Sequence, residues 1–379
     1  MRRGKPESRI PCAPECYREA MVSAPGRVNL IGEHIDYHGL PVLPIALRRS
    51  IRIHFQARAD NRIQVASGAY GHREFAWTPG LTPVARGDWE NYLRAAAQAI
   101  AGKWGVMNGI DATIESDLPP AAGLSSSSAL IVAVTLALLR ANQRAASFEE
   151  LMEILPDGEQ FVGTRGGGMD HAASLASRAG CASLIEFVPL AVHHIPIPAD
   201  WAFLVANSLQ IAEKSGAVRE RYNAVRTAGT EALRETGFAS YAEAIEGRTE
   251  EELRTLAAAK HLPPAFLHVV TEAFRVRHAV QAMHEDAAER FGRLLLESHA
   301  SLRDRLQISC PALDRLVEAA MDSGALGARL TGGGFGGCAV VFCRRGDLSK
   351  VHDGLVERFY SGVPDHILHA EPGPGAVNS

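Results

Sequence analysis

Apolar and polar positions come close to alternating in three early stretches, SIRIHFQA (50–57), RIQVA (62–66) and IDATIE (110–115), and their branched residues predict strands. The period then lengthens. SSSSALIVAVTLALLRANQ (125–143) predicts a long helix, followed by a shorter one at 148–155. A third helix, opening near Gly168-Met169, leads into CASLIEF, a predicted strand at 181–187. The second half repeats the mixture. AFLVANS (202–208) predicts a strand, amphipathic helices fill the region from 212 to 322, a glycine turn enters a strand at 338–343, and a helix covers 348–360. Strands and helices mix without regular βαβα spacing, so an α+β fold is expected rather than a doubly wound sheet. No internal repeat is visible. The proline-rich VPLAVHHIPIPAD (188–200) is the best boundary, dividing the chain into domains at 1–187 and 188–379. The tail EPGPGAVNS (371–379) is expected to be disordered.

A chain of 379 residues exceeds one hydrophobic core and suits two. The formal net charge of −4 argues against a general nucleic-acid binder. The opening MRRGKPESRIPCAPEC has no apolar run of the secretory kind, so a cytoplasmic location is expected. The longest apolar run, ALIVAVTLALL (129–139), is far shorter than the roughly 20 residues that span a bilayer, so it reads as a buried helix and no membrane partner is expected. Cys12, Cys16, Cys181, Cys310, Cys338 and Cys343 form no paired CxxC set, so structural zinc is not expected and reduced thiols are. Cys12 and Cys16, in the leading tail, are the ones open to oxidation.

Four stretches carry candidate chemistry. In DLPPAAGLSSSSAL (117–130) small residues and four serines precede the long helix. A helix N-terminus offers unpaired N–H groups and partial positive charge, which suits phosphate oxygens. One serine would suffice as a helix cap, so the run of four favours phosphate binding. It is not a Walker A loop, because GK[ST] is missing. LTGGGFGGCAVV (330–341) places five glycines in seven positions; close approach of backbone to a ligand accounts for them, and a glycine-rich hairpin or bulge does so equally well. In GTRGGGMDHAASL (163–175), Asp170 opens a helix, where aspartate commonly meets free N–H groups, and it could also address a substrate hydroxyl. GRVNLIGEHIDY (26–37) gathers Arg27, Glu33, His34 and Asp36, which cannot all face one way on a strand or helix but could converge from an irregular loop. Taken singly, each also reads as a surface or turn residue.

Together these stretches resemble the GHMP kinase superfamily and, within it, the galactokinase family. GRVNLIGEHIDY is similar to the galactokinase signature, PPAAGLSSSSAL to the phosphate loop and LTGGGFGGC to the C-terminal glycine motif, in family order across residues 26 to 338. The resemblance implies an N-terminal mixed-sheet domain, a C-terminal ferredoxin-like domain and a site in the cleft between them. It implies transfer of the γ-phosphoryl of ATP to the anomeric C1 hydroxyl of α-D-galactose, with Mg²⁺. Arg27 and Asp170 then match the catalytic pair, and Glu33, His34, Asp36, Gly168 and Tyr222 match groups around the sugar. Gly123, Leu124, Ser125, Ser126 and Ser127 match the phosphate loop, Ser127 also as a Mg²⁺ contact, and Trp89 matches a residue near the adenine. A monomer is expected.

Some positions depart from the common bacterial pattern. GEHIDYHGLPVLP and GTRGGGMDH look more like the eukaryotic galactokinases and N-acetylgalactosamine kinases, His171 replaces a glutamine, and Ala121-Ala122 replace glycines. Tyr222 leans back towards galactose. The alternatives are therefore a 1-kinase for N-acetylgalactosamine or a uronic acid, and a paralogue that senses galactose and ATP without turnover. The intact serine run, Asp170 and Arg27 favour the enzyme.

Overall fold

The computed structural model describes residues 20–119, 123–163, 166–210 and 216–378. Cys12, Cys16 and the Ala121-Ala122 pair lie outside them. The first half runs β1 (Ala20–Ile31), β2 (Leu43–Ala57), β3 (Arg62–Ser67), β4 (Gly71–Ala76), α1 (Glu90–Trp104), β5 (Ile110–Ser116) and α2 (Ser126–Ala141). It continues with α3 (Phe148–Phe161), α4 (Met169–Ala176), β6 (Cys181–Phe187) and β7 (Leu190–Pro196). The second half runs β8 (Trp201–Asn207), α5 (Gly216–Thr236), α6 (Tyr241–Ile245), α7 (Glu250–Ala259), α8 (Pro264–His284) and α9 (Ala288–Asp304). It closes with α10 (Pro311–Asp322), β9 (Gly327–Thr331), β10 (Cys338–Arg344), α11 (Leu348–Arg358), β11 (Ile367–His369) and β12 (Val377–Asn378).

The first sheet has the order β12-β1-β2-β5-β3-β4 and is mixed, with β3 and β5 parallel. Helix α2 lies against β1 and β2, flanked by α1 and α4. Ile131, Val132, Ala133, Val134 and Leu138 are all fully buried, as an apolar run without a polar face requires. The second sheet, β11-β8-β10-β9, is antiparallel. Trp201, Phe203 and Val205 of β8 join Val340 and Phe342 in the core shared with α8 and α9. Ala202, Leu204 and Ala206 pack with Val341, Leu316 and Leu355 towards α10 and α11. Both faces are covered, which explains why β8 and β10 read as continuous apolar runs. The α+β expectation is met, with a mixed-sheet first layer and an antiparallel second one.

Three expectations change. Residues 26–31, the first half of the stretch that an irregular loop would explain, belong to strand β1, whose register with β2 shifts between Pro25 and Arg27 and again between Asn29 and Ile31. These irregularities break the alternation that would have marked a strand. The 188–200 stretch contains β7, which pairs with β6, so the expected cut at 187/188 falls on a hairpin turn. Residues 373–378 of the tail are held by main-chain bonds: the Gly373, Gly375 and Ala376 N–H groups donate to the Ala46, Ser177 and Ser174 carbonyls at 2.8, 2.7 and 2.7 Å, and β12 pairs with β1. Glycine and proline here serve close backbone contact rather than disorder.

Candidate active site

Strand β1 brings Arg27 to the start of α2. A Cβ on Gly26 would stand 2.7 Å from the Leu124 carbonyl oxygen, so glycine is needed for the two segments to touch. The Arg27 N–H then donates to that carbonyl at 3.2 Å. The Arg27 side chain spans the gap: Nε donates to Asp170 Oδ1 at 2.7 Å and Nη1 to the Gly123 carbonyl at 2.9 Å. Asp170 lies in the first turn of α4, after Gly168 in the left-handed region. Its other oxygen, Oδ2, accepts from the Ser125 hydroxyl, with Ser128 Oγ at 3.4 Å. Ser125 occupies the N-cap position of α2 at φ 55°, yet its side chain does not cap the helix. It serves Asp170 instead. Ser126 and Ser127 follow it, half-buried at the helix N-terminus.

Beyond β1 the chain turns, and Glu33, His34 and Asp36 face the same space from the turn and a short 3-10 segment. Asp36 Oδ2 accepts from the Gly167 N–H at 3.1 Å. Burial, reinforced by the Asp170 charge, raises the Asp36 carboxyl to about 7. His34 adopts φ 60°, shares a 2.6 Å hydrogen bond through Nδ1 with the Tyr37 hydroxyl, and sits 5.1 Å from the Tyr222 ring. Burial lowers its imidazole to about 3, so it is neutral and one ring nitrogen can accept. Glu33 Oε1 accepts from the Gly332 N–H at 2.6 Å, across the gap between the two layers. Burial raises its carboxyl, against the opposing charges of Arg329 and Arg27.

These groups line one cavity of about 890 Å³. Arg27, Glu33, His34, Asp36, Gly168, Asp170 and Tyr222 all border it, as do Gly123 and Ser125 to Ser127, and Trp89 with Tyr70. Trp89 precedes α1, its Nε1 donates to the Tyr70 carbonyl at 3.1 Å, and the Arg73 guanidinium lies 5.5 Å from its ring centre. Gly332 to Gly334 close the wall contributed by the second half, and a Cβ on Gly332 would stand 3.2 Å from the Gly123 carbonyl oxygen. The C-terminal glycine run is therefore a close-approach loop facing the serine run. Leu124 is the exception among the expected residues: its side chain is in the core and its carbonyl is bonded to Arg27.

Three family models match. "GHMP kinases N terminal domain" covers residues 91–178 and "GHMP kinases C terminal" covers 279–361. "Galactokinase galactose-binding signature" covers 15–57, which includes Arg27, Glu33, His34 and Asp36. The galactokinase of Roseiflexus sp. (strain RS-1) is 34% identical over 368 residues, 94% of this chain and 93% of its own. The chain belongs to the galactokinase family. The Chloroflexus aurantiacus galactokinase is 36% identical over 324 residues, 84% of this chain and 82% of its own. The crystal structure of Lactococcus lactis galactokinase complexed with galactose superimposes with a TM-score of 0.86 at 26% identity, covering 95% of each chain. The family fold is thus present in both layers, with the conserved-type motifs of the resemblance meeting at one cavity.

Sequence reasoning missed part of that cavity. Tyr70, Tyr92, Ile51 and Ile114 also line it; Tyr70 sits in the turn between β3 and β4, and the others are ordinary strand and helix residues with no motif to mark them. Ser128, the fourth serine, was legible only as an extra hydroxyl.

Proposed function

We infer that this chain transfers the γ-phosphoryl group of ATP to the C1 hydroxyl of α-D-galactose, giving galactose 1-phosphate and ADP. The observation that carries this is the position of Asp170. It is fixed by Arg27 and Ser125 where the acid-lined end of the cavity, Glu33 and Asp36, meets the N-terminus of α2. Carboxylates accept from sugar hydroxyls, and helix N-termini attract phosphate, so the reacting atoms would meet beside Asp170. The galactose O1 forms the new bond to γ-phosphorus, the bond from phosphorus to the bridging oxygen breaks, and ADP departs with that electron pair. The hydroxyl proton leaves towards Asp170. A carboxylate that already accepts from Arg27 and Ser125 is a poor base, so its main task is orienting O1, which a loose transition state permits. Arg27 offsets the charge on the transferring group.

Ser127 is the residue expected to reach Mg²⁺. Among the described residues no group of three or more His, Cys, Asp or Glu is placed to hold a metal. A single hydroxyl at the N-terminus of α2 suits Mg²⁺, which keeps several waters and is held largely through substrate phosphates. When bound, the ion would neutralise phosphate charge. The flat faces of Trp89 and Tyr70 suit the adenine.

Three carboxylates at the sugar end, Glu33, Asp36 and Asp170, disfavour a uronic acid, whose own negative charge they would repel. Retention of Arg27, Asp170 and the serine run disfavours a sensor without turnover. Purified protein with Mg-ATP and a panel of hexoses tests the reading by ADP release. Galactose is expected to be turned over fastest; sugar binding without turnover on any hexose overturns it.

A further inference from the structure

The turn that presents Glu33 is held by the second layer through side chains that sequence reasoning did not single out. Arg329, on β9, is fully buried. Its Nη1 donates to the Leu30 carbonyl at 2.9 Å and the Asn29 carbonyl at 3.3 Å, and Nη2 lies 3.5 Å from Glu33 Oε1. The Thr331 hydroxyl donates to the Asn29 carbonyl at 3.0 Å. From α8, Glu272 Oε1 accepts from the Gly32 N–H at 2.9 Å and the Ser298 hydroxyl at 2.7 Å, while Oε2 accepts from Arg275 at 2.8 Å. His268 Nε2 is 3.0 Å from the Glu33 carbonyl oxygen, which can only accept, so that nitrogen carries the proton. Three buried charges, Arg329, Arg275 and Glu272, thus cluster at residues 29–33, and Glu33 itself adds a fourth.

Such a cluster is a poor device for stability alone. Desolvating each ion costs several kcal/mol, and apolar replacements of similar volume are often as stable or more so. What the cluster does provide is orientation. Gly332 N–H and Arg329 both address the same oxygen of Glu33, which fixes the carboxylate plane at the cavity wall. An unpaired carboxylate at this depth would take up a proton and lose its character as a pure acceptor.

We propose that Arg329 is a positioning residue for the sugar: it holds the Glu33 carboxylate in place and aimed into the cavity, and acts on catalysis only through Glu33. This rests on the reading of Glu33 as a sugar contact, and the test separates the two. Steady-state kinetics are measured for the wild type, Glu33→Gln, Arg329→Lys, Arg329→Met and the double variant Arg329→Met/Glu33→Gln. Loss of one charged, oriented hydrogen bond is expected to raise the galactose KM roughly 10-fold or more in Glu33→Gln and Arg329→Met. Arg329→Lys retains a cation and is expected to recover part of that loss. The ATP KM should stay within about 3-fold throughout, because Arg329 acts at the sugar end only. The double variant should be no worse for galactose than Glu33→Gln alone, since the two residues act as one unit. Additive losses in the double variant, or a parallel rise in the ATP KM, overturn the positioning role while leaving Glu33 as a sugar contact. An unchanged galactose KM in Glu33→Gln overturns both. If Arg329→Met does not fold, Arg329→Lys combined with Glu33→Gln carries the same comparison.

Discussion

Lowering the pH is expected to expel the sugar by protonating Asp36. The group is buried, and burial with the nearby Asp170 and Glu33 charges raises it to about 7, against the opposing N–H groups of Tyr37 and Met169. A sugar hydroxyl donates more strongly to the ionised Asp36 carboxylate than to the neutral carboxyl, so binding should release a proton. If only the ionised form binds and the empty-site value is about 7, the galactose Kd should be about 11-fold weaker at pH 6, and about twofold weaker at pH 7, than at high pH. Titration calorimetry in two buffers of different ionisation enthalpy should read about half a proton released at pH 7. A proton count near zero, with a Kd flat between pH 6 and 8, would refute the reasoning. The same shift bears on stability. The folded state holds this proton more tightly than the unfolded chain, whose value is 3.8, so the stabilisation is fully present below that value and is lost as pH rises through about 7. Asp36→Asn should therefore stabilise the sugar-free protein at pH 8 by on the order of 2–4 kcal/mol, read as a raised Tm, while abolishing galactose binding.

Asp170→Asn and Arg27→Ala are expected to lower kcat by on the order of 10³-fold with the fold retained by circular dichroism; near-full rate in Asp170→Asn would mean the reacting hydroxyl lies elsewhere. Trp89→Ala should raise the ATP KM roughly 5- to 10-fold and leave the galactose KM unchanged, and the reverse pattern would remove Trp89 from the nucleotide end. Gly229, inside α5, faces the His38 ring, where an added Cβ would stand 2.4 Å from Nε2. Gly229→Ala should cost about 1–3 kcal/mol of stability and raise the galactose KM, because His38 stands 4.7 Å from the Tyr37 ring, whose hydroxyl bonds His34. An unchanged Tm would show that the helix and this turn are not packed as described.

Long elements with a clean period were legible: α2, β3, β5, β8 and β10 fall where their patterns put them, within a few residues, whereas β2 starts at Leu43, seven residues before the strand expected from Ser50. The signature strand was not, because the register shifts near Gly26 and Leu30 that aim Arg27 at Asp170 also remove the alternation by which strands are read. Motif residues could be named because their types are costly to bury without a ligand. Arg329 and Glu272 gave no such signal: each is a single charge in an otherwise ordinary strand or helix, and only the fold shows that they meet residues 29–33 from more than two hundred positions away. The serine run was informative in kind but not in detail. Its first member turned out to steady a carboxylate, which no local pattern announces.

The pairing of β12 with β1 has a consequence for how the chain is made. The first sheet is assembled from both ends of the described sequence, so it is not a segment that could be excised at residue 187. During synthesis most of its strands emerge early, while the outer edge of β1 and the Ala46, Ser174 and Ser177 carbonyls wait for residues 373–378. An uncovered strand edge is a template for pairing with another chain. Between translation of β6 and translation of β12 the nascent chain is thus open to self-association along that edge, and residues 373–378 close it.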